Sequence, residues 1–540
     1  MKEDFENASS LGTQKYKKST SKFLQYGTAG FREKALELPH VMYRMGLLAV
    51  LRSKALKGET VGVMITASHN PEEDNGIKLC EQDGRMCNKE WENFATDLVN
   101  IKDDCLPDCL NRIACSSDID YSIPANVFIA RDTRKSSEAL ANAALDGIKI
   151  LKSEVKDFGL LSTPQLHFVV CCQNFPAYGT PTLEGYYKKL STAFDSLVSQ
   201  YESCTKETRY IPEVYVDGAN GVGALKLKEM LSYIHSLNFK IFNDGTNGIL
   251  NFKCGADHVK VTQSPPEGCE ILSSLKYASF DGDADRLVYF YKDKNGAFHL
   301  LDGDKIATLV ASFFTDLLQV VELNLRICVV QTAYANGSST NFIQNILKTP
   351  AVCVPTGVKH LHSEALKYDI GIYFEANGHG TILFSKDAKK EIQKIETSSK
   401  ANAVQQSAAK MLMQAINLVN ESVGDAISDL LLTEAILKYK NWSIEDWDAM
   451  YQDFPNRQIK VKVPDRNVFT TTDAERKCVK PEGFQEAIDN LVQSHERGRA
   501  FVRPSGTEDV VRVYAETATQ DEADKLANDI GVLVKEFTEK

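Results

Sequence analysis

Apolar and polar positions along the chain fall into two recurring patterns. Three runs rich in β-branched residues each end in a loop of Gly and Asn: VGVMITASHN from Val61, EVYVDGANGVG from Glu213 and RICVVQTAYANGSS from Arg326. Each reads as a buried strand feeding a loop. Between them, apolar residues recur at helical spacing in SEALANAALDGIKIL from Ser137, DKIATLVASFFTDLLQVV from Asp304 and STNFIQNIL from Ser339. Strand, loop and helix in alternation predict α/β domains, whose ligands bind beyond the carboxyl ends of the strands. The last hundred or so residues change rhythm: strand-like RQIKVKVP and RAFVRPS alternate with helices starting near Pro481 and Asp521, which predicts a separate, smaller α+β domain.

A chain of 540 residues exceeds what one hydrophobic core serves, so several domains are expected. The Gly and Pro residues of AYGTPTLEGYYKKL, from Ala177, interrupt the periodicity and mark one boundary; the others fall near Leu300 and Lys440. The expected segments are 1–190, 191–300, 301–440 and 441–540. A formal net charge of -11 argues against nucleic acid and anionic membrane as partners, so an anionic small substrate needs a local pocket of positive charge. No apolar run reaches the roughly eighteen residues of a membrane span, and MKEDFENASS has no signal-like apolar core. The 13 cysteines are odd in number and form no C-x-x-C pair. That favours reduced thiols in a cytoplasmic protein over zinc or disulfide frameworks.

Four constellations carry candidate chemistry. In VGVMITASHNPEEDNGIKL, Ser68 lacks the Gly-x-Ser-x-Gly frame of a hydrolase nucleophile. Asn70, Pro71 and Glu73 suit a helix start, whereas Asn75-Gly76 suits a turn that cuts it short and leaves a loop joining two strands; the pattern admits both. In SFDGDADRLVYF, Asp281, Asp283 and Asp285 alternate, so an extended segment projects three carboxylates to one side. An EF-hand fails there, because Arg286 and Lys292 stand where Gly and Glu are required. Clustered carboxylates between apolar flanks instead favour one Mg²⁺ ion. In RAFVRPSGTEDVVRVYAE, Arg503 and Arg512 flank Ser505, Gly506 and Thr507, which suits either a phosphate loop or an ordinary hairpin with solvated arginines. In IGIYFEANGHGTILF, Glu375, Asn377 and His379 alternate along a turn, a polar fork for sugar hydroxyls or an amide.

Together TASHNP, DGDADR, EANGHG and RPSGTE, in that order, resemble the α-D-phosphohexomutase superfamily, and the four motifs cover nearly the whole chain. Within it YGTAGFR, NFKCGADHVK, QTAYANGSS, PTGVKHLH and FEANGHGT resemble the eukaryotic phosphoacetylglucosamine mutases. Phosphoglucomutases carry a Glu-x-Ser form in the sugar loop, where this chain has Glu375-Ala376-Asn377, a departure that favours an N-acetylated sugar. The resemblance implies four domains around a central cleft, three related mixed α/β units and a smaller α+β unit. It implies a phosphoserine at Ser68, and Mg²⁺ held by Asp281, Asp283, Asp285 and an oxygen on Ser68. It also implies reversible conversion of N-acetylglucosamine 6-phosphate to the 1-phosphate through a 1,6-bisphosphate, supplying UDP-N-acetylglucosamine synthesis, with glucose or N-acetylglucosamine 1,6-bisphosphate as activator.

By the same resemblance, Arg32, His69, Lys78, Arg286 and Lys359 match positions near the transferring phosphate. Arg503, Ser505, Gly506, Thr507 and Arg512 match the grip on the other phosphate, and Glu375, Asn377 and His379 match the sugar loop. A monomer or weak homodimer is expected. The rival readings are a phosphoglucomutase or phosphomannomutase of the same superfamily, a Mg²⁺-dependent phosphatase in which water intercepts the phosphoserine, and a silent sugar-phosphate-binding protein.

Overall fold

The strand Val61–Ile65 is buried along its whole length because it lies inside a mixed five-stranded sheet. The sheet order is Phe31–Lys34, Asp74–Cys80, Val61–Ile65, Asn126–Arg131, Glu154–Leu160. Val61–Ile65 runs antiparallel to Asp74–Cys80 and parallel to Asn126–Arg131. This computed structural model describes residues 2–200, 208–505 and 509–539. The helices Pro39–Ala55 and Ser137–Ile150 cover the sheet and approach closely where two glycines meet. A Cβ on Gly46 would lie 2.2 Å from the Ala144 carbonyl oxygen, and one on Gly147 would lie 2.1 Å from that of Tyr43, so only glycine permits this crossing.

The opening segment and the acidic stretch after Ile101 support this core. Helix Lys2–Lys15 buries Phe5, Ala8 and Gly12. The Tyr43 hydroxyl donates to Ala8 O at 2.8 Å, and buried Arg44 pairs with Asp103 at 2.7 Å.

A second five-stranded sheet runs Phe298–Leu301, Leu287–Lys292, Tyr277–Phe280, Glu213–Asp217, Asn238–Phe242. The third, of four strands, runs Ala351–Val354, Ile327–Thr332, Ile370–Phe374, Gly380–Phe384. The last is an antiparallel three-stranded sheet, Asn456–Lys462, Val510–Glu516, Arg499–Pro504, with a separate hairpin of Thr470–Thr472 and Lys477–Lys480. The mixed α/β segments and the α+β ending therefore follow the predicted rhythm. Residue 190 lies within the helix Leu183–Ser199, residue 300 within the strand Phe298–Leu301, and residue 440 ends the helix Ala426–Lys440.

By their internal contacts the residues group into two compact units. One holds the chain up to Asp302 together with His379–Thr381 and Met413–Ile444; the other holds Gly303–Gly378, Ile382–Leu412 and the chain from Glu445. In the first unit, helix Ala426–Lys440 contributes Glu434, fully buried, to an ion pair with buried Lys276. The Tyr210 and Tyr289 hydroxyls donate to the same carboxylate at 3.0 and 3.1 Å. Among the described residues no helix is long and apolar enough to cross a membrane.

Candidate functional site

Ser68 lies in a loop that joins strand Val61–Ile65 to strand Asp74–Cys80, so the chain takes the loop and not the helix start. Asn70 does not cap: its amide donates to Asp74 Oδ2 at 3.1 Å. Asn75 and Gly76 form no turn. They pair with Glu33 and Arg32 inside the strand, which overrides their local preference for positive φ.

Ser68 itself is fully buried with φ of 50°, a left-handed conformation that a non-glycine residue holds only when its surroundings demand it. Those surroundings are specific. Arg134, with its side chain fully buried, donates to the carbonyls of Ser68 and Asn70 at 2.9 Å each, to that of Asp74 at 2.9 Å and to that of Pro71. Asp132 holds the guanidinium by Nε at 3.0 Å and also accepts from Thr66 and Ser137. Asn251, from the second sheet's loops, donates its amide to the same two carbonyls, at 2.7 Å to Ser68 and 2.9 Å to Asn70.

Ser68 Oγ accepts from Arg32 Nη2 at 2.9 Å and donates to Asp283 Oδ2 at 3.0 Å. Asp281, Asp283 and Asp285 are buried, and each offers an oxygen within 4.8 Å of the others. They converge through a tight turn with Ala284 at φ of 58°, not through the extended alternation expected. A Cβ on Gly282 would lie 2.5 Å from Ser68 O, so glycine lets the aspartate turn close onto the serine loop. Lys78 donates to Asp283 at 2.9 Å and Asp285 at 3.3 Å, and Thr163 Oγ1 donates to Asp283 Oδ2 at 2.5 Å. The Asp285 and Arg286 N–H groups donate to Asp281 Oδ1. Arg286 Nε stands 3.8 Å from both Asp281 and Asp285.

Burial, and then repulsion from Asp285 and Asp283, pushes the Asp281 carboxyl well above the usual range. Burial alone would also raise Asp285, but the nearby His379 and Lys78 outweigh it and hold it well below that range. His69 is pushed well below its ordinary value by burial and then by Arg286 and Arg32, so it stays neutral. Asp281 Oδ2 and Asp283 Oδ1 are buried and have no hydrogen-bond donor among the described residues. Three buried carboxylates, two of them with a donorless oxygen, suit a hard divalent cation of the Mg²⁺ type.

The sugar-loop candidates divide. Glu375 and Asn377 share the turn after strand Ile370–Phe374 in the second unit, where the Asn377 amide donates to Glu375 Oε2 at 3.3 Å. His379 belongs to the first unit, and its Nδ1 lies 3.1 Å from Asp285 Oδ1, at the carboxylate cluster. Lys359 sits in the first turn of helix Val358–Ala365.

Arg503 and Arg512 are directly opposite across the strands Arg499–Pro504 and Val510–Glu516. Like charges so placed destabilise a sheet unless an anion joins them. Arg503 Nε donates to Glu475 at 2.9 Å, and Arg512 Nε is buried with no hydrogen-bond partner among the described residues. Ser505 is buried, its N–H donating to Val510 O at 2.8 Å; Gly506 and Thr507 lie outside the described residues.

Sequence reasoning missed Arg134, Asp132, Asn251, Thr163 and Glu475. RDTRKSS offered a signal, an Asp and an Arg directly after an apolar strand. Thr163 showed only as the first helical residue of the Ser162 capping box.

Family models match most of the chain. Residues 27–103 and 119–177 match phosphoglucomutase/phosphomannomutase alpha/beta/alpha domain I, and residues 459–531 match the C-terminal domain of that group. Residues 178–288 and 302–442 match domains II and III of phosphoacetylglucosamine mutase AMG1. The phosphoacetylglucosamine mutase of Sus scrofa is 54% identical over 513 residues, covering 95% of this chain and 94% of the relative. An N-acetylglucosamine-phosphate mutase of the alpha-D-phosphohexomutase superfamily, solved in its substrate complex, is similar with a TM-score of 0.94 at 46% identity, over 98% of this chain and 100% of the other. The Aspergillus fumigatus N-acetylphosphoglucosamine mutase, solved with GlcNAc-6P and magnesium, gives 0.93 at 46% identity over 99% of each.

Proposed function

Because the chain belongs to the phosphoacetylglucosamine mutases of the α-D-phosphohexomutase superfamily, we propose that Ser68 carries the phosphoryl group exchanged with the sugar. The protein is an isomerase that interconverts N-acetylglucosamine 6-phosphate and N-acetylglucosamine 1-phosphate, with magnesium as its cofactor and a sugar 1,6-bisphosphate as intermediate. One observation carries the role of Ser68. Its hydroxyl has no His base of a hydrolytic triad; it stands between a carboxylate suited to a cation, at 3.0 Å, and the Arg32 guanidinium, at 2.9 Å.

Asp281, Asp283, Asp285 and an oxygen on Ser68 hold the magnesium, which when bound draws charge from the phosphoryl oxygens. In the first half-reaction a sugar hydroxyl oxygen bonds to phosphorus as the bond to Ser68 Oγ breaks. The hydroxyl proton passes to a base, and Ser68 Oγ keeps the electron pair beside Arg32. In the second half the bisphosphate gives its other phosphoryl group to Ser68 Oγ and recovers a proton.

His69, held neutral, and Lys359 are the candidate bases. Arg286 and Lys78 offset charge around the carboxylates, and His379 orients Asp285. Arg503, Ser505, Gly506, Thr507 and Arg512 take the non-reacting phosphate, supported by the two opposed guanidinium groups. Glu375 and Asn377 take the sugar.

The four-segment division at 190, 300 and 440 goes with this reading and is supported by family matches that end or begin near 177, 288–302 and 442–459. A cytoplasmic location is supported by the free thiols of the described cysteines. A monomer or weak homodimer is part of the same proposal.

The test is a coupled assay on wild type and Ser68→Ala, with intact-mass measurement after exposure to bisphosphate. Wild type gains the mass of one phosphoryl group and turns over; Ser68→Ala does neither. A Ser68→Ala variant that isomerises at the wild-type rate removes the serine from the mechanism.

A further inference from the structure

Glu475 sits in a turn that a simple chain reversal does not need. Asp473, Ala474 and Glu475, between the hairpin strands Thr470–Thr472 and Lys477–Lys480, have φ of 52°, 53° and 69° in succession. Each such non-glycine residue is strained, where an Asn-Gly pair would turn the chain more easily. The turn aims Glu475 inward. One carboxylate oxygen accepts from Arg503 Nε at 2.9 Å, and the other accepts both the N–H of Thr356, at 3.0 Å, and its hydroxyl. The pair with Arg503 is mostly shielded from water.

We propose that Glu475 is a positioning residue for phosphate recognition, fixing Arg503 through its Nε edge and tying that arginine to the Thr356 loop. The inference rests on the assignment of Arg503 to the non-reacting phosphate. A carboxylate on Nε sets the plane of the guanidinium, and so the direction of the fork that makes bidentate contacts to phosphate. The charge balance agrees. Arg503 and Arg512 face each other across the strands, and one carboxylate neutralises only one of them, leaving the site net positive for an anion. Thr356 leads through Gly357, at φ of 127°, into helix Val358–Ala365, whose first turn carries Lys359. Glu475 thus joins the residue that reads the phosphate to the loop that starts the Lys359 helix, all within one compact unit.

The experiment measures KM and kcat for N-acetylglucosamine 6-phosphate in Glu475→Ala, Glu475→Gln, Arg503→Ala and the Glu475→Ala/Arg503→Ala double variant. Loss of a hydrogen bond to a charged group predicts KM raised about tenfold or more in Glu475→Ala. Glu475→Gln recovers part of the loss, because its amide oxygen still accepts from Arg503 Nε. In the double variant Glu475→Ala adds nothing, since the group it orients is gone. A general loss of folding would lower active-site content and kcat without this dependence on Arg503. A raised KM in Arg503→Ala with an unchanged or lowered KM in Glu475→Ala overturns the proposal alone, as do fully additive effects. An unchanged KM in Arg503→Ala overturns the phosphate assignment and the proposal with it.

Discussion

Arg134 donates to the backbone carbonyl of Ser68 at 2.9 Å, and the same side chain takes three further carbonyls of that loop. Ser68, proposed above to carry the phosphoryl group, is therefore held from behind by one buried fork. Arg134→Ala leaves Asp132 buried without its cation, and breaking such a pair costs about 3–5 kcal/mol. Arg134→Lys keeps the charge but cannot reach four carbonyls, so the fold survives better and kcat falls more than KM changes. Urea unfolding and steady-state kinetics on the two variants check this; a Lys variant with wild-type kcat would show that the fork does not position Ser68.

Thr163 supports Asp283, one of the proposed metal ligands. Its hydroxyl donates to Asp283 Oδ2 at 2.5 Å, and its N–H to Asp283 O at 3.2 Å. Loss of such an outer hydrogen bond weakens metal affinity by roughly 10–100-fold. Thr163→Val is expected to need that much more magnesium for half-maximal rate, with activity recovered at saturating metal. A magnesium titration of turnover reads the shift directly, and an unmoved midpoint contradicts it.

His40 makes stability depend on pH. Burial, and then the charges of Arg44 and Lys18, push its imidazole from 6.5 to about 4, against a small opposing pull from Asp103. The folded pKa is the lower one, so the unfolded chain binds the proton first as pH falls. The contribution is complete above about pH 6.5 and is lost toward pH 4, at roughly 1.4 kcal/mol per pH unit. Urea midpoints between pH 7 and pH 5 fall accordingly in wild type and fall less steeply in His40→Gln. Parallel slopes would exclude His40 as the source.

Asn377, which by the resemblance drawn from the sequence stands where phosphoglucomutases usually carry serine, shares a turn with Glu375. Asn377→Ser is expected to lower the kcat/KM preference for N-acetylglucosamine 6-phosphate over glucose 6-phosphate by about 10–100-fold, because an amide partner is lost. Paired assays on the two sugar phosphates measure it. An unchanged ratio places the specificity elsewhere.

The strands and loops that carry chemistry were legible because each motif follows an apolar run with a local turn signal, as at Val61–Ile65 before Ser68. The three aspartates were legible as a cation site, but their convergence was not: it arises from the turn at Ala284 and not from strand alternation. Asn75-Gly76 misled, since pairing with Arg32 and Glu33 outweighed its local preference. Arg134, Asn251 and Glu475 were hidden for another reason. Their partners are backbone groups or charges remote in sequence, with Asn251 lying 183 positions from Ser68, and no local pattern encodes such a contact.

The first compact unit is completed by residues 413–444, which arrive long after Asp302. Lys276 meets its carboxylate on Glu434, 158 positions downstream, and the Ala284 carbonyl of the aspartate turn receives the N–H of Ala426 at 3.0 Å. A chain ending at Asp302 therefore lacks both the carboxylate that Lys276 meets and the N–H that the Ala284 carbonyl receives. A cut at Asp302 separates the early sheets from the late helix that completes their unit.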